Sequence, residues 1–167
     1  MYDELTENDI KKIQEEIDYR KLVVRKAAIE AVKEARAHGD LSENFEYHAA
    51  KKDKNQNESR IRYLERMIRT AKIISDQSRA DEVGLNNLVE LYFEDEGETE
   101  VYKIVTTVRG NSLDNKISNE SPLGRAVLGH KVGDRVYVKI DEKNGYYVVV
   151  KSIDKTSGDQ EDKLRSY

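Results

Sequence analysis

From Thr6 to about Ser75 the chain has no proline and repeats apolar residues at helical spacing, with a single short break. Nothing else in the sequence limits the fold as strongly. Before the break, Ile10, Ile13, Ile17, Val24, Ala28, Ala31 and Ala35 recur at spacings of three, four and seven. Ala, Glu, Lys and Arg dominate the positions between them, and all are good helix formers. Thr6 is placed to cap this helix, Asp9 supplies a first-turn acid, and Gly39 is a natural stop. The pattern predicts a second helix from near Ser42 or Glu43 to about Ser75, with Tyr47, Ala50, Ile61, Leu64, Ile68, Ala71 and Ile74 on its apolar stripe. Two helices joined by roughly three residues must run antiparallel. Folding about the break pairs Ile10 with Ile74, Ile13 with Ala71, Val24 with Ile61 and Ala35 with Ala50. The expected product is an antiparallel coiled-coil hairpin over residues 1–78, an arm of about 32 residues per helix and roughly 48 Å.

The break lies within HGDLSENFEYHAAKK, residues 38–52. It places Asp40, Glu43 and Glu46 within seven positions, where no core needs charge. On the residues alone two readings stay open. Carboxylates near a helix N-terminus are stabilised by its unpaired N–H groups, and Asp40 with Glu43 forms a D-x-x-E variant of the capping box. Capping, however, needs one or two acids and does not need a protruding arm. Alternatively, two carboxylates at a tip suit Mg²⁺, which keeps several waters and takes only one or two carboxylates from a protein. Such a pair would complete a site whose other ligands belong to a partner. His38 and His48 bracket the acids but lack the spacing of a self-contained zinc site.

Composition bounds the rest. The net charge of −4 divides unevenly: residues 1–80 carry 17 Lys+Arg against 16 Asp+Glu, whereas residues 81–167 carry 12 against 17. Neither half is a strongly basic polyanion binder. The absence of cysteine excludes disulfides, thiolate metal sites and cysteine nucleophiles. No apolar leader and no run of transmembrane length is present, so the expected location is cytoplasmic.

After a polar linker over 76–84 the period changes. NLVELYF (87–93), EVYKIVTTV (100–108), RVYVKI (135–140) and GYYVVVKSI (145–153) are β-branched and tyrosine-rich, with DEKNG as a hairpin turn before the last. Between them lie a short KIS and SPLGRAVLG, where Ser121 can cap and Pro122 can open a short helix. The reading is a second domain over 79–155, a small, mainly antiparallel sheet with one short helix, and a polar, frayed tail over 156–167.

GDLSENFEYHAAK (39–51) resembles the signature of the bacterial transcript-cleavage factors GreA and GreB. The likeness continues in ESRIRYLERMI (58–68) and KISNESPLGRAVLGHKVGD (116–134), and the HAA triplet leans toward GreA. The resemblance implies an α+β, two-domain protein with an FKBP-like C-terminal domain. It further implies a monomeric elongation factor with no enzymatic activity of its own. In that family the C-terminal domain binds the largest subunit of RNA polymerase and the coiled coil enters the secondary channel. Asp40 and Glu43 match the acidic pair that helps hold a catalytic Mg²⁺ jointly with the polymerase, whose active site then cleaves the 3′ end of backtracked nascent RNA. Arg36, Lys51 and Lys52 match a basic patch for RNA phosphates, and Glu120, Ser121 and Pro122 match the loop that grips the polymerase. Tyr47 falls on the apolar seam, where packing is its expected work.

The chain also departs from that pattern. Phe45 stands where a small residue is usual, the opening lacks a common glycine, and the charged tail after Lys155 is extra. A channel-binding regulator that does not stimulate cleavage is the alternative, and Phe45 is the feature that favours it. A peptidyl-prolyl isomerase would need an aromatic pocket that fold analogy cannot supply. A plain coiled-coil adaptor would make the GDLSEN string a coincidence.

Overall fold

Thr6 and Asp9 start the first helix as their spacing predicts. The Asp9 amide donates to Thr6 Oγ1 (3.1 Å) and the Thr6 amide to Asp9 Oδ2 (3.0 Å), a reciprocal cap. In the computed structural model, which describes residues 3–39, 44–160 and 162–166, the chain divides into two units. One holds residues 10–71, and the other holds residues 3–9 together with the chain from Lys72 onward.

The first unit is a helical hairpin. Helix α1 (Glu7–Tyr19) passes through one π-helical turn, Arg20–Val24, into α2 (Arg25–Arg36), and α3 (Phe45–Thr70) returns. Contacts pair Glu16 with Arg60, Arg20 with Asn57, Arg25 with Glu58, and Ala35 with Asn44, so rising numbers on one side meet falling numbers on the other. The helices are therefore antiparallel. Ile13, Ile17, Ile61, Leu64 and Met67 are buried in the seam, with Ala35 and Tyr47 near the tip. Ala31, expected on that seam, is exposed, and its neighbour Val32 is half-buried. The π turn inserts one residue into the repeat, which rotates α2 relative to the continuation of a straight helix.

Helix α3 stops at Thr70, earlier than expected, without glycine or proline. A two-residue strand β1 (Glu4–Leu5) pairs in parallel with β2 (Lys72–Ile73) and takes the chain away. The Lys72 amide donates to Asp3 O (2.9 Å) and that of Ile74 to Leu5 O (2.8 Å), so these donors are satisfied outside a helix. Ile74 consequently leaves the seam where it was expected. At ~1.5 Å per residue the 26 residues of α3 span roughly 39 Å, shorter than the length expected from the sequence.

The second unit contains a five-stranded sheet of β3 (Leu88–Phe93), β4 (Glu98–Val105), β5 (Lys116–Ser118), β6 (Arg135–Lys139) and β7 (Gly145–Asp154), ordered β5-β4-β3-β7-β6. All pairs are antiparallel except β4 with β5, which the expected mainly antiparallel sheet accommodates. Alternation puts Val89, Leu91, Ile104, Val136, Val138, Val148 and Val150 on one face. Val83 and Val127 of the short helix α4 (Pro122–Val127) complete the buried cluster. Each such side chain contributes about 1.5–3 kcal/mol by leaving water. The β6–β7 turn is closed by Asp141, whose Oδ1 accepts from the amides of Lys143 and Asn144, both at 2.8 Å.

Beyond Lys155 the tail makes polar contacts with the rest of its unit. Asp159 accepts from Thr6 Oγ1 (2.8 Å) and Asn8 Nδ2 (2.7 Å), and the Arg165 amide donates to Val108 O (2.6 Å). Asp159 and Asp162 are buried, which the polar composition of the tail could not announce.

Candidate functional site

At the tip of the hairpin, α2 ends in Arg36, and Gly39 takes φ +141°, a conformation that L side chains rarely adopt. Asp40 and Glu43, the predicted metal-holding pair, lie outside the described residues. Their neighbours in sequence are defined. Asn44 is the N-cap of α3: its side-chain oxygen accepts from the Tyr47 amide (3.0 Å). Its side-chain nitrogen donates to Ala35 O (2.5 Å), so one residue satisfies the start of α3 and a carbonyl near the end of α2. Glu46 is the acid of the first turn of α3, and its Oε2 accepts from His38 Nδ1 at 2.8 Å across the turn. The expected helix start at Ser42 or Glu43 is thus corrected to Phe45, because Asn44 holds the capping position. Both acids of the predicted pair precede that cap in the chain. The sequence cues for this were ambiguous, since Asp40, Ser42 and Asn44 are all capping types.

The basic residues partly converge. Arg36 lies over the Tyr47 ring, 5.5 Å from its centroid. The Arg36 guanidinium holds the Tyr47 hydroxyl below its ordinary pKa, and the charges of Lys51 and Lys54 act in the same direction. Tyr47, Lys51 and Lys54 fall on one face of α3 at spacings of four and three. Lys54 is a member of this cluster that sequence reasoning missed, although its spacing from Lys51 was visible. Lys52 is exposed one position round the helix and does not face this hydroxyl. Tyr47 is buried on the seam and also carries the cations, so it packs and positions at once. Phe45 is 85% exposed at the first helical residue, an aromatic face presented to solvent.

The other predicted group, Glu120, Ser121 and Pro122, belongs to the sheet unit. Ser121 caps α4, accepting from the Gly124 amide (3.1 Å), and its hydroxyl donates to Ser118 O (2.6 Å). Pro122 occupies the first turn, as expected. Glu120 accepts from Thr107 Oγ1 (3.2 Å), and its amide donates to Ser118 Oγ (3.0 Å). Gly124 makes the loop possible, because a Cβ there would sit 2.1 Å from Ser118 O. Glu120 and Pro122 are exposed on this fixed loop. Among the described residues, no group of three or more His, Asp or Glu gathers as a metal cage, and no helix is long and apolar enough to cross a membrane.

A long hairpin with an acid-rich tip and a small mixed sheet with a capped short helix match known proteins along nearly the whole chain. Residues 4–73 fit the family model described as "Transcription elongation factor, N-terminal", and residues 77–155 fit "Transcription elongation factor, GreA/GreB, C-term". The chain is 44% identical over 137 residues to the transcription elongation factor GreA of Thermoanaerobacter pseudethanolicus, covering 81% of this chain and 87% of that one. It is 41% identical over 135 residues to that of Bacillus subtilis, covering 81% and 86%. Among solved structures it is similar to GreA factor homolog 1 (Gfh1) of Thermus thermophilus, with 29% identity, a TM-score of 0.42, and coverage of 92% and 99%. The chain belongs to the GreA/GreB family of transcription elongation factors.

Proposed function

We propose that the hairpin enters the secondary channel of RNA polymerase and that Asp40 and Glu43 complete a Mg²⁺ site shared with that enzyme. There the polymerase hydrolyses the 3′ segment of backtracked RNA. One observation carries the reading. Asn44 caps α3 and Glu46 supplies its first-turn acid, so helix capping gives no reason for the two acids that precede them. Two carboxylates are the hard oxygen donors that suit Mg²⁺, and two are too few to hold it without a partner. Bound there, the ion would lower the pKa of the attacking water and offset charge on the phosphate.

The chain's own residues position and hold. Asn44 ties the end of α2 to the start of α3. Arg36, Lys51 and Lys54 offer cations to the phosphates of extruded RNA, with Lys52 beside them. Glu120, Ser121 and Pro122 present a rigid loop for docking on the largest subunit of the polymerase.

The test uses backtracked polymerase complexes carrying 5′-labelled RNA, with Mg²⁺ and either the wild type or Asp40→Ala/Glu43→Ala. The wild type is expected to shorten the RNA, and the variant to bind while losing about a hundred-fold or more in cleavage rate. If both bind and neither shortens it, the protein is a channel regulator that does not stimulate cleavage. The exposed ring of Phe45 favours that second reading, and Phe45→Ala would then be the variant to examine.

A further inference from the structure

The tail fills a cationic cradle in the sheet unit. Asp162 is 5% exposed, and three cations converge on its carboxylate. Lys103 Nζ and an Arg109 terminal nitrogen each lie 2.8 Å from Oδ2, and Lys116 Nζ lies 3.1 Å from Oδ1. They come from β4, from the 3₁₀ turn Thr107–Arg109 and from β5, so the fold itself assembles the site. Arg109 is fully buried and is further fixed by Asp9 Oδ1 (2.7 Å), Asn86 Oδ1 (2.7 Å) and Thr106 Oγ1 (3.2 Å). With Asp162 in place, the three positive charges pair with Asp162 and Asp9, and Arg109 also acts on the Asp159 carboxylate. Without Asp162 they keep an excess of positive charge.

The occupant is held differently from the cradle. Among the described residues beyond Lys155, the two buried ones are aspartates, so charge and hydrogen bonds anchor that part of the tail. Lys103 also donates to Gly158 O (2.5 Å), another polar contact. For buried ion pairs, desolvation offsets most of the Coulomb attraction, so one anion can replace another at modest net cost. The cradle residues also lie within the stretch matched by the family's C-terminal model, whereas Asp162 lies beyond it.

We propose that Lys103, Arg109 and Lys116 form a binding site for an oxyanion of the phosphate class, and that Asp162 is its resident, displaceable occupant. Burial alone would raise the Asp162 pKa, but bonds from Lys103, Lys116 and Arg109 outweigh it and hold it at about 2. The carboxylate is therefore ionised at neutral pH, and displacement is an exchange of anions.

The experiment monitors backbone amides of the full chain by NMR at pH 7 while inorganic phosphate or chloride is added at matched ionic strength. Phosphate is expected to move the amides of Thr156–Arg165 toward random-coil positions at concentrations where chloride leaves them in place. Asp162→Asn in the full chain is expected to bind phosphate at least about ten-fold more tightly than the wild type, and a second change, Lys103→Ala, to remove that gain. Repeating the titration with AMP separates a free ion from a phosphate monoester, the tighter of the two naming the source. The proposal is overturned if phosphate and chloride act alike on the wild type, if neither releases the tail, or if a folded Asp162→Asn chain binds no tighter.

Discussion

The two units gain their order in different ways. The sheet unit packs valines, leucine and isoleucine from four strands and α4 into one apolar cluster, and it also buries the charges of Arg109, Asp9 and Asp162. The hairpin mixes its apolar seam with Asn57 and Arg60, both buried at mid-length. Asn57 Oδ1 accepts from Arg20 (3.0 Å), and Glu16 accepts from both Arg20 (2.7 Å) and Arg60 (2.9 Å). Polar contacts inside a seam give up stability relative to apolar packing, but they fix which residues face each other. On the proposed function, an arm that presents its tip to a partner needs register more than it needs depth of burial. The contrast therefore sets a continuous apolar cluster in the sheet against a seam in the arm whose register is fixed by polar pairs.

Truncating the sheet core is the harshest way to probe that contrast. Leu91→Ala is expected to cost about 2–5 kcal/mol in denaturant unfolding, because Leu91 is fully buried in close-packed surroundings. A loss below about 1 kcal/mol would mean that the valine cluster does not dominate the stability of its unit.

Acid should act on the other side of the comparison. Glu16 is pushed up by burial but pulled further down by Arg60 and Arg20, and Arg25 lowers Glu58, so both carboxyls titrate below their ordinary value of 4.5 in the folded chain. Their contribution is present above pH 4.5 and is lost as pH falls through the lowered values. Hydrogen exchange between about pH 5 and pH 2 should thus show the arm opening before β3, β6 and β7, while the lowered carboxyls of the other unit, Asp159 and Asp162, release the tail over the same range. Simultaneous opening of both units would erase the distinction.

Asn44→Ala is expected to cost about 0.5–2 kcal/mol in the stability of the hairpin, measured by thermal unfolding, and to leave the sheet unit unchanged. Smallest of all, Phe45→Ala should alter stability by no more than about 0.5 kcal/mol, since its ring is largely exposed.

How much was legible depends on the range of each interaction. Period 3.6 and period 2 patterns are local, so both helices and every strand of the five-stranded sheet could be read, as could the caps at Thr6 and Ser121. The early stop of α3 could not, because it depends on β1 pairing with β2 across the whole length of the hairpin in sequence. Arg109 carries no local signal, because its partners Asp9 and Asp162 lie 100 and 53 positions away. At the tip the acids drew attention through their charge. The residue that closes the turn, Asn44, was one of three cap-forming types in five positions, and only geometry distinguishes them.

On the proposed function, Asp40 and Glu43 serve chemistry and not capping. This is tested most directly by measuring, on one preparation of Asp40→Ala/Glu43→Ala, both thermal stability and stimulated RNA cleavage by backtracked polymerase. A melting temperature within about 2 °C of the wild type is expected, together with loss of cleavage. A drop in stability as large as that of Asn44→Ala, with cleavage retained, would contradict it and return the two acids to the helix.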